Sequence, residues 1–288
     1  MPSEPTPRVV GERLPSAAVE ALDLAVERLT STVRPTVGER LRTGVDLGTA
    51  SIIVTVLGER GVPLASELQT AQVARDGVVV DYVGAVDITR RLIQRLNERL
   101  GVELATAAIA MPPGVAPRAH RHVVEACGLD VSRVVDEPSA AGGLLGVVDG
   151  VVVDIGGGTT GLSVFTDGAV TYAADEPTGG VHASLVLMGR YGLTFDDAEA
   201  MKQDPSRADV VRTAVQPVME KMAGIVGRHI AGRDGIDVAY LVGGSAQLTG
   251  IDAVFAEALG VDVVIPPNPV MVTPVGIARN DDGFEQRS

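Results

Sequence analysis

Two hydrophobic patterns alternate along this chain, and together they predict its architecture. Short unbroken aliphatic runs, such as Val151-Val152-Val153 and Val238 to Val242, read as buried strands. Between them, apolar residues recur every three or four positions, the spacing of a helix face. Ile88, Leu92, Leu96 and Leu100 line one side of a helix over 84–100, closed by Gly101. Val19, Leu22, Val26, Leu29 and Val33 make a similar stripe over 16–34, with Ser16 as its cap and Pro35 as its stop. That helix packs on the body of the protein, trails as a floppy tail, or docks in a partner's groove.

The same reading predicts strands over 42–57, 62–68 and 73–81, the last turning at Asp76-Gly77. A small-residue strand over 105–111 breaks at Pro112-Pro113-Gly114, and a helix over 118–127 ends at Gly128. A strand over 131–135 runs into a helix with Pro138 at its first position. After a strand over 169–174 come helices ending at Met188, over 194–201, and over about 206–230, where Pro217 should kink the chain. A strand over 238–242, a helix over 251–259, a strand over 261–265 and a short helix over 274–278 follow. Residues 1–15 are expected to be disordered and the polar tail from Asn280 to fray. Alternating strands and helices indicate an α/β fold, and its hairpins make the sheets mixed.

One stretch carries chemistry. Val151 to Val164 gives a strand ending on Asp154, a turn of Gly156, Gly157, Gly158, Thr159 and Thr160, and a second strand. Glycines let backbone N–H groups approach a ligand, and successive N–H groups form an anion-binding nest. A carboxylate beside such a nest suits a metal-bound phosphate; the alternative is a tight hairpin whose glycines serve only φ > 0. Gly44-Val45-Asp46-Leu47-Gly48-Thr49 repeats the pattern in weaker form, with Asp46 and Asp154 108 residues apart (154 − 46). A period this long points to two related halves facing each other across a cleft.

Composition narrows the partners. The 288 residues carry a net charge of −13, which argues against a general nucleic-acid or anionic-membrane binder. No apolar run is long enough to span a bilayer, and Met1 to Pro5 are not a secretory signal. Cys127 is the only cysteine, so no internal disulfide forms, and a cytoplasmic location is expected. With no Trp, the core must be aliphatic. Lysine occurs only at 202 and 221.

These motifs resemble those of the actin-like ATPases, the superfamily of DnaK-type chaperones, MreB and FtsA. Gly44 to Thr49 and Asp154 to Thr160 resemble its two phosphate motifs, and Glu137-Pro138-Ser139-Ala140-Ala141 its connecting motif. Leu241-Val242-Gly243-Gly244-Ser245 resembles the adenosine motif, and Pro274-Val275-Gly276-Ile277-Ala278 the closing helix. The resemblance implies a duplicated, ribonuclease H-like fold with two lobes around a nucleotide cleft and reduced outer subdomains. It implies a tail with an amphipathic helix over 1–40 and lobes over 41–150 and 151–288, with the helix near 274–279 packing back on the first lobe.

The resemblance also implies ATP and Mg²⁺ as cofactors. Asp46 and Asp154 would hold the metal, unless each merely caps its turn. Gly48, Thr49, Gly156, Gly157, Gly158, Thr159 and Thr160 would contact phosphate. Gly243, Gly244 and Ser245, with Glu220 and Lys221, would contact the nucleoside, although the last two also read as a solvated helix face. Glu137 would position water for hydrolysis or, alternatively, only complement a helix dipole. His182 need not touch nucleotide, and His120 and His122 point to different helix faces and so are no metal pair. Chaperone relatives carry a catalytic lysine in their N-terminal half, where this chain has only Arg75 nearby. ATP hydrolysis is therefore expected to be weak at best, or absent in a pseudo-ATPase serving as an interaction module. No peptide-binding domain of the chaperone kind is expected after residue 288.

A closer set of stretches, including Ala110-Met111-Pro112-Pro113-Gly114, Gly179-Gly180-Val181-His182 and Pro217 to Ala223, resembles the chaperone-like proteins of ethanolamine utilisation. That likeness implies partners among ethanolamine-degrading enzymes or the shell of a bacterial microcompartment.

Overall fold

The computed structural model describes residues 13–75, 78–114 and 116–285, and the side chains of Arg75, Phe284 and Glu285 lie outside the described set. The expected disorder before residue 13 and the expected turn at Asp76-Gly77 also lie outside the described residues. Among the described residues, no helix is long and apolar enough to cross a membrane.

The chain opens with α1 (Ser16–Glu27) and continues with β1 (Arg40–Leu47), β2 (Ser51–Leu57), β3 (Pro63–Thr70), β4 (Ala74–Arg75) and β5 (Val78–Val79). Then come α2 (Tyr82–Leu100), β6 (Thr106–Met111), α3 (Arg118–Glu125), β7 (Asp130–Asp136) and α4 (Glu137–Leu145). The second half holds β8 (Gly150–Ile155), β9 (Thr160–Thr166), β10 (Ala169–Glu176), α5 (Gly180–Tyr191), α6 (Phe195–Gln203) and α7 (Ala208–Ile230). It ends with β11 (Val238–Val242), α8 (Ile251–Leu259), β12 (Asp262–Val264), α9 (Val272–Arg279) and β13 (Phe284–Glu285).

The first sheet has the order β3-β2-β1-β6-β7, with β13 also paired to β1; the second has the order β10-β9-β8-β11-β12. In each, a three-stranded antiparallel meander is extended by two parallel strands. The internal repeat read from the two Asp-Gly stretches is thus a repeat of whole sheets. Each buries its own aliphatic core, one built on β1, β2 and α2, the other on β8, α7 and α8. The pattern of helix stops held at α2, which Asp81 caps by accepting from the Gly84 N–H at 2.9 Å and which ends on Gly101 at φ 73°.

Two helices exchange partners between the halves. Leaving the first sheet, α4 packs on β8 and β9 of the second; leaving the second, α9 packs on β1, β2 and β6 of the first. They cross each other through small residues. A Cβ at Gly276 would strike the Ala140 carbonyl, and one at Gly44 would lie 2.5 Å from the Ala278 N and 2.8 Å from the Pro274 carbonyl.

Three expectations need correction. The first helix ends at Glu27, well before Pro35, and Ser16 is its first residue rather than its cap, which is Pro15. A tertiary grip overrides the periodicity here: the Arg99 guanidinium donates to the carbonyls of Arg28 and Ser31, each at 2.6 Å, and the Val33 N–H donates to Leu64 of β3 at 2.9 Å. The face of α1 carrying Ala18, Ala21, Leu22 and Ala25 is buried with Ile53, Leu57, Val152 and Val242, which come from both sheets. Its apolar stripe is therefore occupied by its own chain. Second, Pro138 is the second residue of α4, Glu137 being the first, with Asp136 capping the Ser139 N–H at 2.9 Å. Third, residues 281–285 are held, the rest of the tail lying outside the described residues. Asp281 is 3% exposed and accepts from the Thr43 N–H at 2.9 Å, and β13 then pairs with β1. The helix α7 runs on through Pro217 to Ile230.

Candidate functional site

The two glycine turns close the β1–β2 and β8–β9 hairpins, and the fold brings them face to face. A Cβ at Gly157 would stand 3.0 Å from Ala50 Cβ, 3.3 Å from Ala50 N and 3.4 Å from Thr49 Cβ. The second turn is closed by the Gly156 N–H donating to the Thr159 carbonyl at 3.1 Å. It is braced from behind. The Gly156 carbonyl accepts from the Gly180 N–H at 3.0 Å and the Ser245 hydroxyl at 2.8 Å, and the Gly157 carbonyl accepts from the Val181 N–H at 2.8 Å. Close approach requires glycine here, since a Cβ at Gly179 would lie 2.6 Å from the Gly157 carbonyl oxygen. Among the described residues, no backbone acceptor takes the N–H of Gly48, Thr49, Gly157 or Gly158. Backbone donors without a backbone acceptor therefore gather where the two turns meet, which is what an anion nest needs.

Carboxylates gather at the same place. On the second sheet Asp154 of β8, Gly161 of β9 and Asp175 of β10 stand side by side in register. The bare Gly161 leaves room between the two acids: a Cβ there would sit 3.2 Å from Asp175 Oδ1 and 3.7 Å from Pro138 Cδ. Asp154 is 7% exposed, and its Oδ2 accepts a 2.5 Å hydrogen bond from the Thr273 hydroxyl of α9. Burial pushes the Asp154 carboxyl above its ordinary range, while the Thr273 bond pulls it down. Asp46, from the first sheet, is pushed up to about 7, first by burial and then by the Asp154 charge. Glu137, at the start of α4, is driven well above the usual carboxylate range by burial and then by Asp154, Asp46, Asp175 and Asp136. One small volume thus collects carboxyl groups that are harder to ionise than isolated ones, because they are buried and because their charges repel.

Such an arrangement can hold a cation that itself carries an anion. Among the described residues, no group of three or more His, Cys, Asp and Glu has the geometry of a metal cage. Two carboxylates close enough to repel instead suit a hard ion bound by one or two carboxylates that keeps most of its waters.

The remaining candidates occupy varied positions. Gly243, at φ 86°, donates its N–H to the Pro269 carbonyl at 2.9 Å, and a Cβ there would collide with Asp154 Oδ1 and the Ile155 carbonyl. Gly244 is exposed beside it, whereas the Ser245 hydroxyl is spent on Gly156. Thr159 is nearly buried; Thr160 is fully buried and its hydroxyl donates to the Thr178 carbonyl at 2.6 Å, which makes it a brace of the turn. Glu220 and Lys221 lie on the exposed face of α7, where Glu220 accepts from the Gln216 side chain at 2.9 Å. Lys202 pairs with Glu199 at 2.8 Å and donates to the Gly180 carbonyl at 3.1 Å. His182 accepts from the Gly179 N–H at 3.3 Å and so caps its own helix. His120 is 3% exposed, and burial lowers its pKa to about 4. His122 is exposed, on a different face of α3. Cys127 is half-buried, and burial pushes its thiol up to about 11.

Asp175 and Thr273 were missed in the sequence. The signal for Asp175 was its position near the end of a strand antiparallel to the Asp154 hairpin, two places from Pro177. Thr273 had no local signal, because it reaches Asp154 only through the return of α9 across 119 residues.

Comparison with known proteins bears on this geometry. The family described as type IV pilus assembly protein PilM matches residues 146–277, and that described as MreB/Mbl protein matches residues 64–186. The crystal structure of MreB 5 of Spiroplasma citri bound to AMPPNP superposes with a TM-score of 0.66 at 18% identity, covering 82% of this chain and 94% of that one. The fold is therefore actin-like. The ethanolamine utilization protein EutJ of Salmonella typhimurium is 43% identical over 238 residues, 82% of this chain and 84% of that protein. The crystal structure of EutJ from Carboxydothermus hydrogenoformans has a TM-score of 0.82 and 46% identity, covering 91% of this chain and 99% of that chain. With that identity over that extent, in sequence and in structure, the chain belongs to the EutJ family of ethanolamine utilization proteins.

Proposed function

We propose that this protein binds Mg–ATP in the cleft between its two sheets and serves as a chaperone-like accessory factor of ethanolamine utilization. Its partners under this reading are ethanolamine-degrading enzymes or shell proteins of a microcompartment, engaged according to whether the cleft is closed over nucleotide. The working location is then the cytosol, in association with that compartment. The observation that carries the reading is the meeting of the Thr49–Ala50 and Gly157 turns in front of Asp46, Asp154 and Glu137.

The residues present fit the implied cofactors. The N–H groups of Gly48, Thr49, Gly157 and Gly158 would face phosphate oxygens, and the repelling pair Asp46 and Asp154 would hold Mg²⁺ through its waters. The metal, when bound, supplies charge neutralisation for the phosphates. Exposed Gly244 and the collision-limited Gly243 leave bare backbone against which a nucleoside would lie. Glu137 would orient a water and accept its proton.

A second reading, a nucleotide-binding module that hardly hydrolyses, is favoured by the lysines. Lys202 is committed to Glu199 and Gly180, and Lys221 is exposed on α7. Thermal unfolding with millimolar Mg–ATP tests the shared claim, with a rise expected; no rise would remove both readings. Phosphate release by wild type, Glu137→Ala and Asp154→Asn then separates them. A wild-type rate above both variants supports the ATPase, and equal rates leave only the module.

A further inference from the structure

At the end of β1 away from the glycine turns, four arginines line an open, shallow cavity of about 360 Å³. Arg40, Arg42, Arg133 and Arg279 line it with Asn280, Asp281 and Asp282. In a chain of net charge −13, this is a concentration of positive charge against the average. Among the described side chains lining it, four guanidiniums face two carboxylates, of which Asp281 is spent on neutral donors and Asp282 on Arg133. Asp281 accepts from the Thr43 N–H at 2.9 Å, the Thr106 hydroxyl at 3.0 Å and the Ser132 hydroxyl. Asp282 pairs with Arg133 at 2.9 Å.

Arg42 and Arg279 are left as neighbours of like charge. Arg42 Nη1 donates to the Arg279 carbonyl at 3.3 Å, while its Nε is buried without a partner among the described residues. Burial, and then the Arg42 charge, lower the Arg279 pKa. Among the described residues, no carboxylate pairs with either. Arg40 lies exposed at the rim, in register opposite Glu285. A purely structural role explains part of this: Arg42 caps the C-terminal end of α9, and Arg133 ties down the last segment. It leaves the Arg279 guanidinium, the Arg42 Nε and the cavity itself without a purpose.

We infer that this cavity binds a small phosphoryl oxyanion, with Arg42 and Arg279 as its principal ligands and Arg40 at its mouth. Planar guanidinium forks meet phosphoryl oxygens through paired, charge-assisted hydrogen bonds, and a dianion would relieve the repulsion between the two cations. The site also shares a helix with the cleft, since α9 presents Thr273 to Asp154 at one end and Arg279 to the cavity at the other.

Calorimetric titration of the full chain in Mg²⁺-free buffer tests the inference, using inorganic phosphate and pyrophosphate as probes and citrate for comparison. Wild type is expected to bind a phosphoryl probe at one site. Arg279→Gln should weaken that binding by at least about tenfold, the loss of a charge-assisted bond. Arg279→Lys should fall between the two, and Arg40→Glu, at an exposed position that should not disturb folding, should also weaken it. Gly157→Val, which obstructs the cleft, should leave it in place. Absence of phosphate and pyrophosphate binding overturns the inference. So does binding that survives both Arg279→Gln and Arg40→Glu but disappears in Gly157→Val, because the anion then sits in the cleft. Binding of citrate alone overturns the assignment to phosphoryl groups.

Discussion

Replacing Asp46 by Asn should make the nucleotide-free protein more stable and its response to Mg–ATP weaker. In the folded chain Asp46 titrates near 7, against 3.8 in an ordinary setting, because burial and the Asp154 charge both penalise its ionised form. The native state therefore holds this proton more tightly than the unfolded chain does. Stability associated with the proton is intact below pH ~4 and is lost as pH rises through about 7. A shift of roughly 3 units at about 1.4 kcal/mol each sets a ceiling of ~4 kcal/mol above pH 7. Well under half of that is lost by pH 5, so the pH-dependent part between pH 5 and pH 8 is about 2–3 kcal/mol. Asn keeps the shape and cannot ionise. For a chain of this size, ~2 kcal/mol corresponds to a shift in Tm of about 4–8 °C. Differential scanning calorimetry of wild type and Asp46→Asn at pH 5 and pH 8, free of metal and nucleotide, should show the variant gaining on wild type as pH rises. Addition of Mg–ATP at pH 8 should reverse the order, since wild type recovers its counter-ion. A stability difference that stays constant between the two pH values would refute the reasoning.

Other expectations follow from the same geometry. Gly157→Val should abolish the Mg–ATP stabilisation while leaving the unliganded Tm within a few degrees, because the nearest atoms its Cβ would meet are those of the facing turn at Ala50 and Thr49; retained nucleotide response would place the ligand elsewhere. Leu22→Ala on α1, fully buried between the two sheets, should cost ~2–4 kcal/mol in urea unfolding, and a loss below about 1 kcal/mol would mean the helix is not docked in solution. Asp281→Ala should cost about 3 kcal/mol at neutral pH, since it leaves the Thr43 N–H and two hydroxyls without their acceptor, with exposure of the last segment visible in amide exchange at β13.

Much of the fold could be read locally because each half repeats the same grammar. An aliphatic run, an Asp and a glycine turn occur twice, and helix stops such as Gly101 and Gly260 stand where the helices end. The first helix was over-read because its apolar spacing continues past Glu27, while the chain there is captured by Arg99, 71 residues from Arg28 in sequence. The tail was misjudged for the mirror reason: its polar residues look solvated, yet Asp281 finds three donors on strands of the first sheet.

The sequence by itself determined most of the elements, the duplication and the two aspartates at their turns, because these depend on periodicity and on neighbours a few residues apart. Tertiary structure decided which groups share a volume. It set Gly157 against Ala50, placed Asp175 beside Asp154 across a bare glycine, and brought Thr273 to the same carboxylate. It also brought Arg42 to Arg279 across 237 positions of chain. Proton affinity and charge balance depend on burial and on distance in space, and only the closed fold supplies those.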